Sequence, residues 1–383
     1  MDYDNIKKVI ESCHLNFLIG SGSSRPFLGT LGTIENLLTD LAKSSLTEDN
    51  KTIIDASIKK HYWDVAIRGN LEIYTTGNPK LDLTKAAYFD FYSSLNTILN
   101  KRKTNLISKQ VNIFTTNMDL FNEDALEKDG YTYNDGFSGR LNPYFGTENF
   151  NNSIRKTSSH FEYQSELPLF NLFKLHGSVN WLLNADGKIK YDNNLEILNG
   201  INDIKIDKKN LLEIEYTKKI KGVDNWLSYK IDELDAQISK NKITKVKEHV
   251  DFLEAYDKLI MINPTKEKFE TTTRKLTFYE LLRMYSNNLE KENSVLFVLG
   301  FSFADEHIRE ITIRVAKANP TLLIVIFAFD KNAKETICKD LSEHHNIIYI
   351  YDESDKINYS LNTINKEYFK KLSNELINPK IKN

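Results

Sequence analysis

Three short polar runs begin where apolar stretches end, and each carries a group able to hold or move a proton. TTNMD, Thr115–Asp119, follows VNIF; KLHGS, Lys174–Ser178, follows LPLFNLF; GFSFADEH, Gly300–His307, follows SVLFVL. The Asn117 amide can hold a hydroxyl or a water, and the Asp119 carboxylate can accept the NH2 of a carboxamide. The two share a face if the strand continues, and an Asx turn opening the helix near Asp119 is the alternative. An imidazole can take a proton from a hydroxyl or orient a water, which makes His176 the candidate base among eight histidines. Gly177 beside it leaves room for a substrate, although a loop histidine can equally be structural.

Glycine turns complete the set. Gly20-Ser21-Gly22, followed by Ser23, lets backbone amides approach a pyrophosphate over a helix N-terminus, but no third glycine follows, and a plain turn is the competing reading. Gly300 and Ser302 repeat that logic before Asp305, whose N-cap position explains it by itself. Asp330 ends the next apolar run, where an acid commonly takes a ribose hydroxyl; capping the helix of KNAKETI is the alternative.

The elements that must position these groups are legible as a rhythm. NFLIG from Asn16, VNIFTTN from Val111, SVLFVLGFS from Ser294 and TLLIVIFAF from Thr321 are unbroken rather than alternating, which suits strands covered on both faces. Helical periods lie between them, in TIENLLTDLAK from Thr33, KAAYFDFYSSLNTIL from Lys85 and KLTFYELLRMYSNNLEK from Lys275. A helix from Asp305 to about Ala318, another to about Leu341 and a strand NIIYIY ending at Tyr351 continue the alternation. The expectation is an α/β fold, a Rossmann-like doubly wound parallel sheet. Its main domain takes residues 1–183 and 249–350, with a helical segment at 52–100. A Lys-, Asp- and Asn-rich insertion at 184–248 forms a second lobe, and 351–383 is a helical tail. Residues 129–165, rich in Gly, Asn, Tyr and Ser, read as a long functional loop.

Bulk properties narrow the function class. With 51 basic and 53 acidic residues the formal charge is −2, so no global field draws the chain to nucleic acid or to an anionic membrane. The longest apolar stretch, Leu322 to Phe329, is far short of the roughly 20 residues that span a bilayer, and Met1 to Asn16 lacks the features of a signal peptide, so a cytoplasmic location is expected. Cys13 and Cys338 lie at opposite ends of the chain without metal-ligand spacing, which suggests neither a structural zinc nor a disulfide.

In order along the chain, LIGSGSS, TTNMD, KLHGSVNW and GFSFADEH resemble the glycine turn, T-x-N-x-D motif, histidine-glycine motif and late glycine-serine turn of the sirtuin family. The likeness spans roughly residues 15 to 335. YNDGFSGR from Tyr133 and MINPTKEKF from Met261 make it look closest to the bacterial sirtuin-like proteins of antiphage defence. The resemblance implies NAD as substrate and a main domain that binds it. Gly20, Gly22 and Ser23 would line the diphosphate, with Ser21 and Thr116 beside them, and Asn117 and Asp119 would meet the nicotinamide ribose and carboxamide. His176 would be the base, and Gly300, Ser302 and Asp330 would face the adenosine half. Arg25 falls near the family's flexible loop, whose usual G-I-P-D-F-R spelling is missing.

The departures point away from deacylation. Where deacetylase sirtuins carry a four-cysteine zinc module, this chain has its Lys-rich insertion, so no metal is expected, and the strand that holds an acyl-lysine peptide is not recognisable. The implied reaction is therefore NAD hydrolysis to ADP-ribose and nicotinamide, acting in defence by NAD depletion. An NAD- or ADP-ribose-sensing module and an NAD-dependent deacylase are the alternatives. The likeness also implies a homo-oligomer and, at this length without a fused effector, pairing with a HerA-type hexameric ATPase.

Overall fold

Strands with apolar residues on both sides must be covered on both faces, and the sequence supplies helices to do so. The computed structural model describes residues 3–30, 34–102, 107–160, 163–220, 223–261, 272–341 and 344–378. The chain divides into two compact units, the first comprising Met1–Phe27, Thr75–Gly177 and Leu276–Asn383 and the second Leu28–Tyr74 and Ser178–Lys275.

The first unit contains a seven-stranded sheet: β1 (His14–Ile19), β2 (Gln110–Thr115), β3 (Tyr133–Asn134), β4 (Leu169–Lys174), β5 (Ser294–Leu299), β6 (Leu323–Phe327) and β7 (Ile347–Ile350). Their order is β7-β6-β5-β1-β2-β4-β3, and every pairing is parallel. The chain builds outward from β1 on one side, then returns to build from β5 on the other, so the connection reverses between β1 and β5. Ligands of open α/β sheets bind at such a reversal, beyond the carboxyl ends of the strands.

Both faces are covered, as the doubly wound expectation requires. On one face Phe17 of β1 meets Phe91 of α2 (Pro79–Lys101) edge-on at 5.3 Å and Phe369 of the C-terminal helical segment at 5.5 Å. Side chains alternate along a strand, so Phe114 of β2 points the other way. It meets Tyr285 of α4 (Thr272–Leu289) at 5.0 Å, and the Tyr285 hydroxyl lies 2.8 Å from Thr312 Oγ1 on α5 (Glu306–Ala318). The remaining helices of this unit used below are α1 (Tyr3–Ser12), α3 (Phe121–Lys128) and α6 (Lys331–Leu341).

Two local expectations give way to the observed structure. The strand at VNIFTTN stops at Thr115, because the Thr115 hydroxyl turns back to the Ile19 carbonyl and takes the Asn117 N–H, curling the chain off the sheet. The stretch read as a long loop contributes β3, the edge strand paired to β4 through Tyr133 and Phe170.

The second unit joins the helices Ile34–Lys43 and Glu48–Tyr62 to Glu196–Asp203, Ile231–Asn241 and Lys247–Tyr256, together with the hairpin of Glu215–Ile220 and Val223–Ser228. Its members are tied by Asn50 Nδ2 donating to Asp235 (2.7 Å) and by Lys59 between Asp55 (3.1 Å) and Asp257 (3.2 Å). The Lys-rich segment 184–248 is thus part of a larger unit that also takes residues 28–74, and the helical segment expected at 52–100 is divided between the two units. Residues 262–269 of MINPTKEKF lie outside the described residues.

Among the described residues no helix is long and apolar enough to cross a membrane, and no group of three or more His, Cys, Asp and Glu could hold a metal ion. Cys13 and Cys338 are both free thiols.

Candidate active site

The glycines of the two turns serve first to bring backbones together. Gly22 N–H donates to Gly300 O and Gly20 N–H to Leu299 O, each at 2.9 Å, while Ser23 N–H donates to Gly20 O at 3.0 Å. A Cβ on Gly20 would stand 2.5 Å from Gly300 O, and one on Gly300 would stand 2.4 Å from Ser23 N. Gly300 also has φ +61, a left-handed backbone that costs an L-residue strain. The turns after β1 and β5 are therefore interlocked at the reversal point, and those three N–H groups are engaged by protein carbonyls. Ser21, Arg25 and Ser302 are exposed beside them.

Beneath the first turn lies a directed hydrogen-bond network. Ser24 Oγ donates to Asp119 Oδ2 at 2.6 Å; its hydrogen being committed there, Tyr88 OH must donate to Ser24 Oγ, 3.0 Å away. The Asn117 NH2 points into the same cluster, at 3.1 Å from Gly20 O, 3.2 Å from Ser24 Oγ and 3.4 Å from Tyr88 OH. That orientation fixes which end of the amide is left over. Asn117 Oδ1 is buried with no partner among the described residues, an acceptor whose isolation costs about 1–3 kcal/mol unless a ligand or water meets it. Thr116, half-buried, gives its N–H to Ile19 O at 3.3 Å.

Asp119 is as buried as Asn117, but both of its carboxylate oxygens are engaged by the protein. Its Oδ1 accepts the Phe121 N–H at 3.3 Å, the Asx turn at the start of α3, while Oδ2 takes the Ser24 proton. Burial pushes its carboxyl above the ordinary range, with the nearby Lys174 pulling it back. Lys174, the last residue of β4, pairs with Glu123 at 2.9 Å, with both side chains buried, and also donates to the Asp119 carbonyl. Burial likewise pushes the Glu123 carboxyl up to about 7, with Lys174 opposing. Tyr88 is raised well above its usual value, chiefly by burial, so it remains a neutral phenol. Lys174, Glu123, Ser24 and Tyr88 escaped the sequence reading. Lys174 alone had a local signal, a lysine at the end of an apolar run.

His176 follows β4 as Asn117 follows β2. Thr115 and Lys174 are register partners, Leu175 N–H donates to Thr115 O at 2.8 Å, and each candidate residue stands two positions beyond its member of the pair. The His176 ring reaches Asp305, Nε2 to Oδ2 3.1 Å, with both side chains largely buried. Asp305 does cap α5, accepting the Ile308 N–H through Oδ1 at 3.0 Å, so the helix cap accounts for one of its oxygens and the histidine for the other. Since β5 and β4 are separated by β1 and β2, this contact spans the carboxyl ends of the two central strands. Asp330, beyond β6, accepts the Ala333 N–H at 2.7 Å and so caps α6.

The SIR2-like domain family model matches residues 191–350, less than half of the chain. That span includes Gly300, Ser302, Asp305 and Asp330 but not the turn at Gly20, Asn117 or His176. A solved structure described as "Structural Basis for the Mechanism and Regulation of Sir2 Enzymes" is similar at 12% identity and a TM-score of 0.37, over 98% of each chain. A search of the curated proteins finds no match.

Proposed function

We propose that the chain is an NAD glycohydrolase, cleaving the bond between nicotinamide and ribose. The observation that carries this reading is the pairing of an orphaned acceptor with a braced base: Asn117 Oδ1, buried and unpartnered, at the end of β2, and His176, held by Asp305, at the same level beyond the neighbouring strand. The partial match to the SIR2-like domain supports the choice of dinucleotide.

With Nε2–H donating to Asp305, Nδ1 is the ring nitrogen left to take a proton, and the carboxylate stabilises the imidazolium that results. Asn117 Oδ1 would accept a hydrogen bond from a ribose hydroxyl or from the attacking water and hold it in line. Water oxygen bonds to the anomeric carbon as the glycosidic C–N bond breaks; the bond's electron pair neutralises the pyridinium, and the water proton leaves through His176, giving ADP-ribose, nicotinamide and H+. Asp119, buried under Ser24, serves as the anchor of the Asn117 network rather than as a group touching the carboxamide. The glycine turns supply close backbone approach, and exposed Arg25, Ser21 and Ser302 are the groups beside them left to meet phosphate or ribose.

The interlocked turns favour one refinement. Because Gly22 N–H is bonded to Gly300 O, a diphosphate that takes this donor must displace a protein carbonyl, which suits an enzyme held at low activity until a partner or self-assembly shifts the turns. A HerA-type ATPase and a homo-oligomer are the partners proposed, with NAD depletion in antiphage defence as the role. The test is NAD consumption by the purified chain, alone and with the product of its neighbouring gene, with mass spectrometry of the products. ADP-ribose formation that requires Asn117 and His176 is expected; tight NAD binding without turnover under both conditions would make the chain a sensor instead.

A further inference from the structure

The sheet carries a second polar feature, away from its carboxyl rim. Asn16, Asn112 and Asn171 stand in register on β1, β2 and β4. Their amides form a one-way relay: Asn171 Nδ2 donates to Asn112 Oδ1 (3.0 Å), Asn112 Nδ2 to Asn16 Oδ1 (2.9 Å) and Asn16 Nδ2 to Val295 O (3.2 Å). Asn112 Nδ2 also donates to Asn288 Oδ1 on α4 (3.1 Å) and Asn171 Nδ2 to Gln110 Oε1 (3.4 Å), so along the strands the donors run toward β5 and the surplus acceptor is left on Asn171. Asn171, 2% exposed, has its Oδ1 buried and unpartnered among the described residues. Three amides at one level of otherwise apolar strands carry a desolvation cost that leucines would avoid.

Asn171 and Asn112 are among the residues that line a cavity of about 210 Å³ between the sheet and α4. Gln110, Asn112, Asn171 and Asn288 make its polar wall, and Met284 with Phe150 and Phe173, the two rings stacked with centroids 4.1 Å apart, its apolar one. Exposed Lys291 stands at the rim, its Nζ 2.8 Å from Asn288 Oδ1. Asn112 lies three residues before the end of β2, about 10 Å back from the rim that carries Asn117 at ~3.3 Å per residue. Sites for drug-sized ligands run to about 300–1,000 Å³, so this smaller space suits a single ring and not a dinucleotide.

We propose that the cavity is a second small-molecule site for one flat heterocycle bearing adjacent hydrogen-bond donor and acceptor groups, the pattern shared by nucleobases and aromatic carboxamides. The donor meets Asn171 Oδ1, the acceptor takes a hydrogen from Lys291, and the ring lies against the phenylalanines. This site stands independently of the glycohydrolase reading.

Uracil, adenine and nicotinamide, titrated at millimolar concentration and followed by saturation-transfer NMR, distinguish base from carboxamide. At least one should bind wild type and Asn117→Ala alike, and bind Asn171→Leu about tenfold more weakly or worse, the loss of one buried hydrogen bond. Binding that disappears in Asn117→Ala and survives in Asn171→Leu would place the ligand at the carboxyl rim and overturn the proposal, as would no binding of any probe to wild type. Circular dichroism checks the fold of Asn171→Leu. Should that variant unfold, exposed Lys291→Ala carries the test, and unchanged affinity there overturns it.

Discussion

Nε2 of His176 lies 3.1 Å from Oδ2 of Asp305, while the other oxygen of the same carboxylate accepts the Ile308 N–H at 3.0 Å. One side chain thereby caps the start of α5 and orients a histidine borne by the end of β4, with β1 and β2 lying between β4 and β5. The two tasks separate chemically, because an amide can cap a helix but cannot stabilise an imidazolium.

Asp305→Asn should therefore keep the fold and lose activity. Asparagine is as good an N-cap as aspartate, so the thermal midpoint should hardly move, whereas NAD turnover should fall about 10- to 100-fold, as when the partner of an oriented histidine is lost. Parallel melting curves and product assays check both halves; a large drop in midpoint with turnover unchanged would leave Asp305 a cap and nothing more.

Asn117→Ala removes the amide that bridges Gly20 O, Ser24 Oγ and Tyr88 OH and also deletes the free acceptor. Loss of NAD turnover by about 100-fold or more is expected, with destabilisation of about 1–2 kcal/mol from the exposed partners. His176→Ala should abolish turnover with a smaller stability change, since its ring is partly exposed. Wild-type-like rates in both variants would end the assignment.

The Glu123–Lys174 pair sets a pH dependence. Glu123 is lifted by burial from 4.5 to about 7, so between those values the folded chain holds a proton that the unfolded chain has released. Stability should fall as pH rises through that window, and Asp119, also raised by burial, acts in the same direction. Urea midpoints at several pH values from 4.5 to 7.5 should show the decline, and Glu123→Gln should flatten it. A slope unchanged in Glu123→Gln would remove this carboxyl as the cause.

Two glycines with positive φ separate strain from contact. Gly77 has φ +90 and nothing within 4 Å of an added Cβ, whereas at Gly300, φ +61, the added atom would meet Ser23 N at 2.4 Å. Gly77→Ala should cost only the left-handed backbone, about 1–2 kcal/mol. Gly300→Ala should cost clearly more, because backbone and not a flexible side chain stands in the way. Equal losses in chemical denaturation would show that the two turns part easily.

The α/β sheet was legible in the chain itself, because a strand buried on both faces is apolar at nearly every position: NFLIG, VNIF, SVLFVL and the run from Thr321 announce β1, β2, β5 and β6 without reference to anything distant. The positions of Asn117 and His176 could also be read, since polar residues directly after such runs fall at the carboxyl rim. What each residue touches depended on the order of strands. Asp305 looked like a cap because its cap is local, whereas its second partner lies 129 positions back, after a strand that the sheet order brings within reach. The pairing of the lysine and glutamate under the site was hidden for the same reason: Lys174 and Glu123 are ordinary charged residues until β4 and α3 bury them together. Local pattern determines which elements form and where their ends lie. Only folding decides which ends meet, because side-chain chemistry at a strand terminus acts over about 3 Å, a distance set by topology and packing rather than by spacing along the chain.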